Sequence, residues 1–219
     1  MDLAPLFLSL KVAFLATVIT FLTGLPTAWG LLRLRRFKKF LDGLFTLPLV
    51  LPPTVVGFGL LVLLGKNRFL GGLLAQADIH LVFTPTAAVM AAAAAAFPLM
   101  YRTARGAFEQ IDENILAAAR TLGLSEWRIF LSLALPVSRP GVLAGVVLAF
   151  ARAMGEFGAT IMVAGNIPGR TQTVPIKIYS VMQAGDTETA LGWAAAISAL
   201  AFICLVALNL LTPAHRGNS

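Results

Sequence analysis

Four long runs without a single charge dominate this 219-residue chain. Residues 12–32, 43–65, 81–101 and 190–212 hold no Asp, Glu, Lys or Arg over 21, 23, 21 and 23 positions. About 20 apolar residues in a helix cross the hydrocarbon of a bilayer. A fifth stretch, 140–165, is apolar except for Arg152 and Glu156. Composition agrees: 58% of residues are hydrophobic and 12% are charged, against about 25% charged in soluble domains. Mean hydropathy is +0.84. That leaves too little polar surface to coat a globule in water, which excludes a soluble enzyme, a disordered regulator and a fibrous protein. A helix satisfies its own backbone in lipid, so the expected fold class is all-α. It is one polytopic transmembrane domain over residues 1–219, with about five spans.

The net charge of +7 follows the positive-inside pattern. After the first span come Arg33, Arg35, Arg36, Lys38 and Lys39. Arg102, Arg105, Arg120, Arg128 and Arg139 lie between the third and fourth spans, and Arg216 follows the fifth. The other side holds Lys11, Lys66, Arg68, Arg170 and Lys177. The richer side is predicted to be cytoplasmic, with the N-terminus outside and the C-terminus inside. This accounts for the basicity without nucleic acid as a partner. The first span starts Met1-Asp2 and is followed by its basic cluster, the reverse of a signal peptide, so it is expected to be a mature helix. One cysteine, Cys204, excludes a disulfide framework. Two histidines, His80 and His215, are too few for a His-rich metal centre.

The largest piece between spans covers residues 102–139, on the predicted cytoplasmic side; a shorter one, 166–188, lies outside. In the first, Ile115, Leu116, Ala119 and Leu122 recur at helical spacing behind the capping candidates Asp112 and Asn114. Gly123 stands where a helix closes in a left-handed conformation. Ser125 is placed to cap a second helix on which Trp127, Phe130, Leu131 and Ala134 share a face. Leu135-Pro136 is expected to end it, and Pro140 to open the fourth span. The product is a helix–Gly–helix unit over about 106–137. It reads equally as an amphipathic interfacial loop or as a rigid peg for a partner.

Arg152 and Glu156 are four residues apart, on one helix face. Each isolated charge at that depth costs at least ~2.5–3.5 kcal/mol, so they must pair or face a polar cavity. Two readings stand: a lining or gate of a transport path, and an ion pair that locks the helix to its neighbours. Because a carboxylate repels an anion, gate or framework is favoured over a binding contact. Pro52-Pro53-Thr54 falls mid-way in the second span. There the prolines free carbonyls of the preceding turn and Thr54 offers a hydroxyl to a cavity; a packing kink is the other reading. Ser9, Thr17 and Thr20 are candidates for interhelical hydrogen bonds, Gly141-x3-Gly145 and the alanines of 91–96 for close packing, and Cys204 and Asn209 for packing. Outside, a short helix is expected near Pro175. No His pair with a carboxylate and no Ser–Lys dyad lies in the spans, so no catalytic residue and no metal ligand is assigned.

The cytoplasmic segment resembles the EAA loop of ABC importer permeases, patterned E-A-A-x3-G-x9-I-x-L-P. Ala118, Ala119, Gly123, Leu135 and Pro136 match it in place; Ala117 stands for the Glu and Leu133 for the Ile. The runs Pro48-Leu49-Val50-Leu51-Pro52-Pro53-Thr54-Val55-Val56-Gly57-Phe58 and Ala151-Arg152-Ala153-Met154-Gly155-Glu156-Phe157-Gly158-Ala159-Thr160 are similar to the oxyanion branch, and the first resembles molybdate permeases. The resemblance implies an ATP-driven importer with two copies of this chain around the pore. A cytoplasmic ABC ATPase dimer would receive the pegs, through Ala117, Ala118, Ala119, Gly123, Leu133, Leu135 and Pro136. A substrate-binding protein would deliver the anion outside, in a bacterial or archaeal plasma membrane. Pro52, Pro53, Thr54, Arg152 and Glu156 would belong to the path or gate. Tungstate and sulfate or thiosulfate remain alternative cargoes, and a passive anion channel is the rival of another class. The chain is not expected to be an enzyme by itself. A P-loop needs G-x4-G-K-[ST], and Gly59 to Gly65-Lys66-Asn67 lacks that spacing, so ATP and Mg would sit on the partner and no cofactor in this chain.

Overall fold

The computed structural model describes residues 2–34, 36–66 and 68–211. Arg35, Asn67, Thr212, His215 and Arg216 lie outside them, as does the side chain of Asn209. Helices are α1 (Ala4–Arg33), α2 (Lys38–Val50), α3 (Pro53–Leu64), α4 (Phe69–Ala75), α5 (Pro85–Glu109) and α6 (Glu113–Thr121). Then come α7 (Glu126–Ile129), a π-helical turn Phe130–Ala134, α8 (Leu135–Val137), α9 (Arg139–Met154), α10 (Gly158–Ala164), α11 (Val174–Gln183) and α12 (Thr187–Leu211). Among the described residues there is no strand. Three helices, α1, α5 and α12, are long and apolar enough to cross a bilayer alone, and two bent pairs raise the count to five.

α5 is the axis. Ala87, Ala88, Ala91, Ala92 and Ala96 are fully buried along it, letting α1 and α9 lie close on either side. In hydrocarbon, apolar side chains gain little by leaving lipid, so close packing of small residues supplies the attraction. Gly24 of α1 sits 3.1 Å, at the place of a Cβ, from Met100 Cγ. A Cβ on Gly141 would fall 2.5 Å from that of Ala107, and one on Gly145 3.2 Å from the Met100 sulfur. The Gly141-x3-Gly145 step is therefore the seat of α9 on α5. α1 begins well before residue 12, with Pro5 in its first turn, where a missing N–H does no harm.

Two expected spans are not continuous rods. The second, 43–65, is a corner: α2 and α3 meet at 110°. Pro52 and Pro53 remove two successive donors, and the residue before a proline is driven out of the helical region. Leu51 is extended (φ −69°, ψ 142°), and Pro53 opens α3. The fourth, 140–165, runs as α9 for 16 residues, about 24 Å, short of a ~30 Å core. It breaks at Gly155-Glu156-Phe157 and resumes as α10. Pro136 does not end its helix. The π turn before it absorbs the missing N–H, the chain stays helical to Val137, and α9 leaves at 82°. Two of the three candidate interhelical hydroxyls bond within α1: Thr17 donates to Ala13 O at 2.7 Å and Thr20 to Thr17 O at 3.0 Å. Ser9 does reach across, accepting from the Val174 N–H at 2.8 Å.

Gly57 and Gly59 share α3 but differ in surroundings: at Gly57 a Cβ meets Ala159 Cα at 2.7 Å, at Gly59 nothing within 4 Å. Gly57→Ala is expected to lower the stability of the detergent-solubilised protein by about 1–3 kcal/mol. Gly59→Ala should be neutral or stabilising by ~0.5 kcal/mol. Thermal unfolding of the two variants checks this.

Candidate functional site

The two runs that carry the oxyanion resemblance are about a hundred residues apart in sequence and touch in space. α3 lies on α10. Gly57 faces Ala159 and Met162, with 2.8 Å from its Cβ position to the Met162 Cβ. Gly158 faces back on Pro53, 2.8 Å from its Cβ position to that of the proline, and 3.4 Å to Thr54 N. The glycines work reciprocally, each making room for the other helix. The proline corner is thus seated on the break of the fourth span.

The break is closed by Glu156, whose side chain is 1% exposed. One carboxylate oxygen accepts from the Ala159 N–H at 2.8 Å, in the first turn of α10. The other meets Arg152 Nη1 at 2.6 Å. A buried charge is tolerated only when paired and hydrogen-bonded, and here both oxygens are used. Arg152 keeps 29% of its side chain exposed. Pro52, Pro53 and Thr54 sit on the open side of the corner. The structure therefore brings all five path or gate candidates into one region around the corner and the break.

The helix–Gly–helix unit forms at the residues expected of it. Asp112 caps α6, accepting from Asn114 N–H at 2.8 Å; Asn114 is not a cap. Gly123 has φ +77°, and Gly123 N–H to Arg120 O with Leu124 N–H to Ala119 O closes α6 in a Schellman turn. Ser125 caps α7. The expected apolar faces are split, however. Leu116, Ala119, Phe130 and Ala134 face the body, whereas Ile115, Leu122, Trp127 and Leu131 are exposed. The split runs within each half of the unit, so the body covers a narrower stripe of each helix than the spacing groups together. Ala117 and Ala118 are outward; Leu133, Leu135 and Pro136 are half-buried.

Sequence reasoning missed the charges that hold the helix–Gly–helix unit to the end of α1 and the foot of α2 to α5. Glu126 joins Arg120 at 2.7 Å and Arg33 at 2.9 Å. The Arg120 hydrogen bond, opposed by partial burial and helped by Arg33, holds the Glu126 carboxyl below the ordinary glutamate range. Asp42 of α2 takes Arg105 and the Tyr101 hydroxyl of α5, and Arg105 also reaches Glu109 at 2.9 Å. The one sequence signal for these was the clustering of Arg and Lys at span ends. Residues 165–173 pack into the body ahead of α11. Thr171 and Thr173 are buried, Gln172 donates to Asn166 at 2.8 Å, and α11 starts at Val174 as expected.

Residues 13–214 match the model of the family described as binding-protein-dependent transport system inner membrane component. The chain belongs to that family. It is 46% identical over 202 residues to the molybdenum transport system permease protein ModB of Escherichia coli (strain K12), covering 91% of this chain and 88% of the relative. The ModB of Haemophilus influenzae is 44% identical, covering 86% and 83%. The sulfate transport system permease protein CysT of Escherichia coli (strain K12) is 36% identical, covering 91% and 72%. Among solved structures, a chain from inward-facing conformations of the MetNI methionine ABC transporter superposes with TM-score 0.71 at 15% identity, over 95% of this chain and 93% of that one. The fold is that of an ABC transporter membrane subunit, and the chain is a multi-pass membrane transport component.

Removing the Glu156 carboxylate strands Arg152 and uncaps α10. Glu156→Ala is expected to lose about 3–5 kcal/mol. Glu156→Gln, which retains an acceptor for Ala159, should lose less. Thermal unfolding of the two purified variants orders them.

Proposed function

We propose that this chain is the pore subunit of an ATP-driven molybdate importer, working as two copies with a cytoplasmic ABC ATPase dimer and an external binding protein. The observation that carries this is the corner Pro52-Pro53-Thr54 seated on the Gly155–Gly158 break, in a chain 46% identical to a molybdenum permease over nine-tenths of its length. Irregular backbone at membrane depth is tolerated where it is buried in protein or lines a water-filled cavity. Here it occurs twice, and the two places meet.

In this reading the N-terminus is outside and the C-terminus cytoplasmic, supported by the Lys and Arg distribution. Exposed Ile115, Leu122, Trp127 and Leu131 form the apolar part of the surface offered to the ATPase. Arg152 and Glu156 act as framework or gate, not as a binding contact, because both Glu156 oxygens are engaged. ATP binds the closed ATPase pair better than the open one. That difference in affinity shifts the permease between outward- and inward-open states. ATP and Mg belong to the partner, and this chain holds no cofactor. Molybdate is favoured over sulfate by the higher identity to the molybdenum permeases.

Uptake of labelled molybdate by cells carrying this chain with its partners is expected to be blocked by tungstate and to resist excess sulfate. Abolition by sulfate would move the chain to the sulfate branch. Gly123 closes α6 with φ +77° and open space around it. Gly123→Val should therefore strain the turn by ~1–2 kcal/mol without touching the spans. It is expected to lose co-purifying ATPase; full retention would remove the peg assignment.

A further inference from the structure

The peg is joined by the chain itself to α5 at one end and to α9 at the other. It has no covalent neighbour in α1, the longest helix of the body. A group of side chains makes that connection. Arg33, in the last turn of α1, contacts the Glu126 carboxylate at 2.9 Å and reaches the Glu126 carbonyl oxygen at 3.4 Å. Glu126 lies in the first turn of α7, and its other oxygen holds Arg120 from the last turn of α6. Each charge complements its own helix end: cations at two C-termini and an anion at an N-terminus. Behind them, Arg33 stacks over the Trp29 ring at 4.7 Å. Trp29 packs on Phe108 of α5 at 5.6 Å and on Phe130 of the peg at 5.9 Å.

Arg33, Glu126 and Arg120 themselves line a cleft of about 760 Å³ between α6 and the body, together with Leu32, Phe108 and Ile111. Buried Ile129, Phe130 and Ala134 seat the second half of the peg on the body, and the bridge is what ties the end of α6 and the start of α7 to α1 by charge. The exposure of the pair is a third or more, so it adds little to stability. What it adds is direction. It fixes the angle between the peg and α1, which lies along both α5 and α9.

We propose that Arg33, through Glu126, is the positioning residue that makes α1 move with the peg, so that displacement of the docked ATPase turns α1, α5 and α9 as one body. The Arg33–Glu126–Arg120 bridge does this in a chain where Ala117 replaces the carboxylate of the resembled motif. The inference rests on the importer reading above.

The test uses the complete transporter, reconstituted with its ATPase and binding protein, and reads molybdate uptake and ATP hydrolysis in the same vesicles. Arg33→Gln is expected to keep the ATPase bound and hydrolysis within about twofold of wild type, consistent with a weak exposed pair. Molybdate moved per ATP should fall about fivefold or more. Arg33→Lys should recover most of the loss, and Arg33→Gln with Glu126→Gln should be no worse than Arg33→Gln alone. An unchanged ratio, a proportional fall of both activities, or loss of the ATPase overturns the proposal. A distance measurement separates its failure from failure of the importer reading. Spin labels at Thr27→Cys and Ile115→Cys, with Cys204 replaced, should give a narrow distribution that widens in Arg33→Gln. Equal widths overturn the bridge even if no transport is found.

Discussion

A peptide group released from its helix inside hydrocarbon costs several kcal/mol. This chain releases several, at Leu51–Pro53 and again at Gly155–Phe157. The rest of the structure depends on how those breaks are sealed. Each is covered by the other, across an approach so close that only glycine fits at Gly57 and Gly158. The alanine-lined α5 gives this unit its backing, since α3, α9 and α10 all rest on it. Glu156 completes the seal by bonding the first turn of α10 and neutralising Arg152 at once. A single side chain thus solves a backbone problem and a charge problem, which is why an acid is kept where an isolated one would be expelled.

The end of the bundle that carries the helix–Gly–helix unit obeys different physics. Charges there are partly exposed, and individually such pairs are worth little. Their value is geometric. Asp42, Tyr101, Arg105 and Glu109 tie the foot of α2 to α5, while the Glu126 bridge ties the peg to α1. Between these lies the aromatic group of Trp29, Phe108, Phe130 and Trp127, with ring centroids 5.2 to 5.9 Å apart. Apolar packing sets the distances and the ion pairs set the angles. The sealed break and the helix–Gly–helix unit are thus held by two different kinds of contact.

Much of this was legible in the sequence, for identifiable reasons. Charge-free length marks spans because lipid tolerates no isolated charge, and α1, α5 and α12 stand where three of the four charge-free runs lie, whereas 43–65 and 140–165 fall on bent or broken helices. Gly123, Asp112 and Ser125 were readable because turn and cap chemistry is local. The corner at Pro52-Pro53 was readable only as a bend. Its 110° angle and its contact with α10 on the far side lie beyond any local rule. The break at Gly155 was hidden by the apolar run around it. The shared faces were misjudged for Ile115, Leu122, Trp127 and Leu131, because the body covers a narrower stripe of each helix than the spacing groups together. Glu126 passed unnoticed since its partners, Arg33 and Arg120, come from two other helices. The i,i+4 spacing put Arg152 and Glu156 on one face and left pairing or a polar cavity as the choices, and the structure shows the pair.

The central claim is that this chain passes molybdate only when a partner spends ATP. Its most direct measurement is accumulation of labelled molybdate inside sealed proteoliposomes holding this chain, its ATPase and the binding protein, with ATP supplied on the ATPase side. The account predicts accumulation against the concentration gradient that stops when hydrolysis is blocked. Equilibration down the gradient at the same rate without ATP would contradict it and make the chain a passive channel.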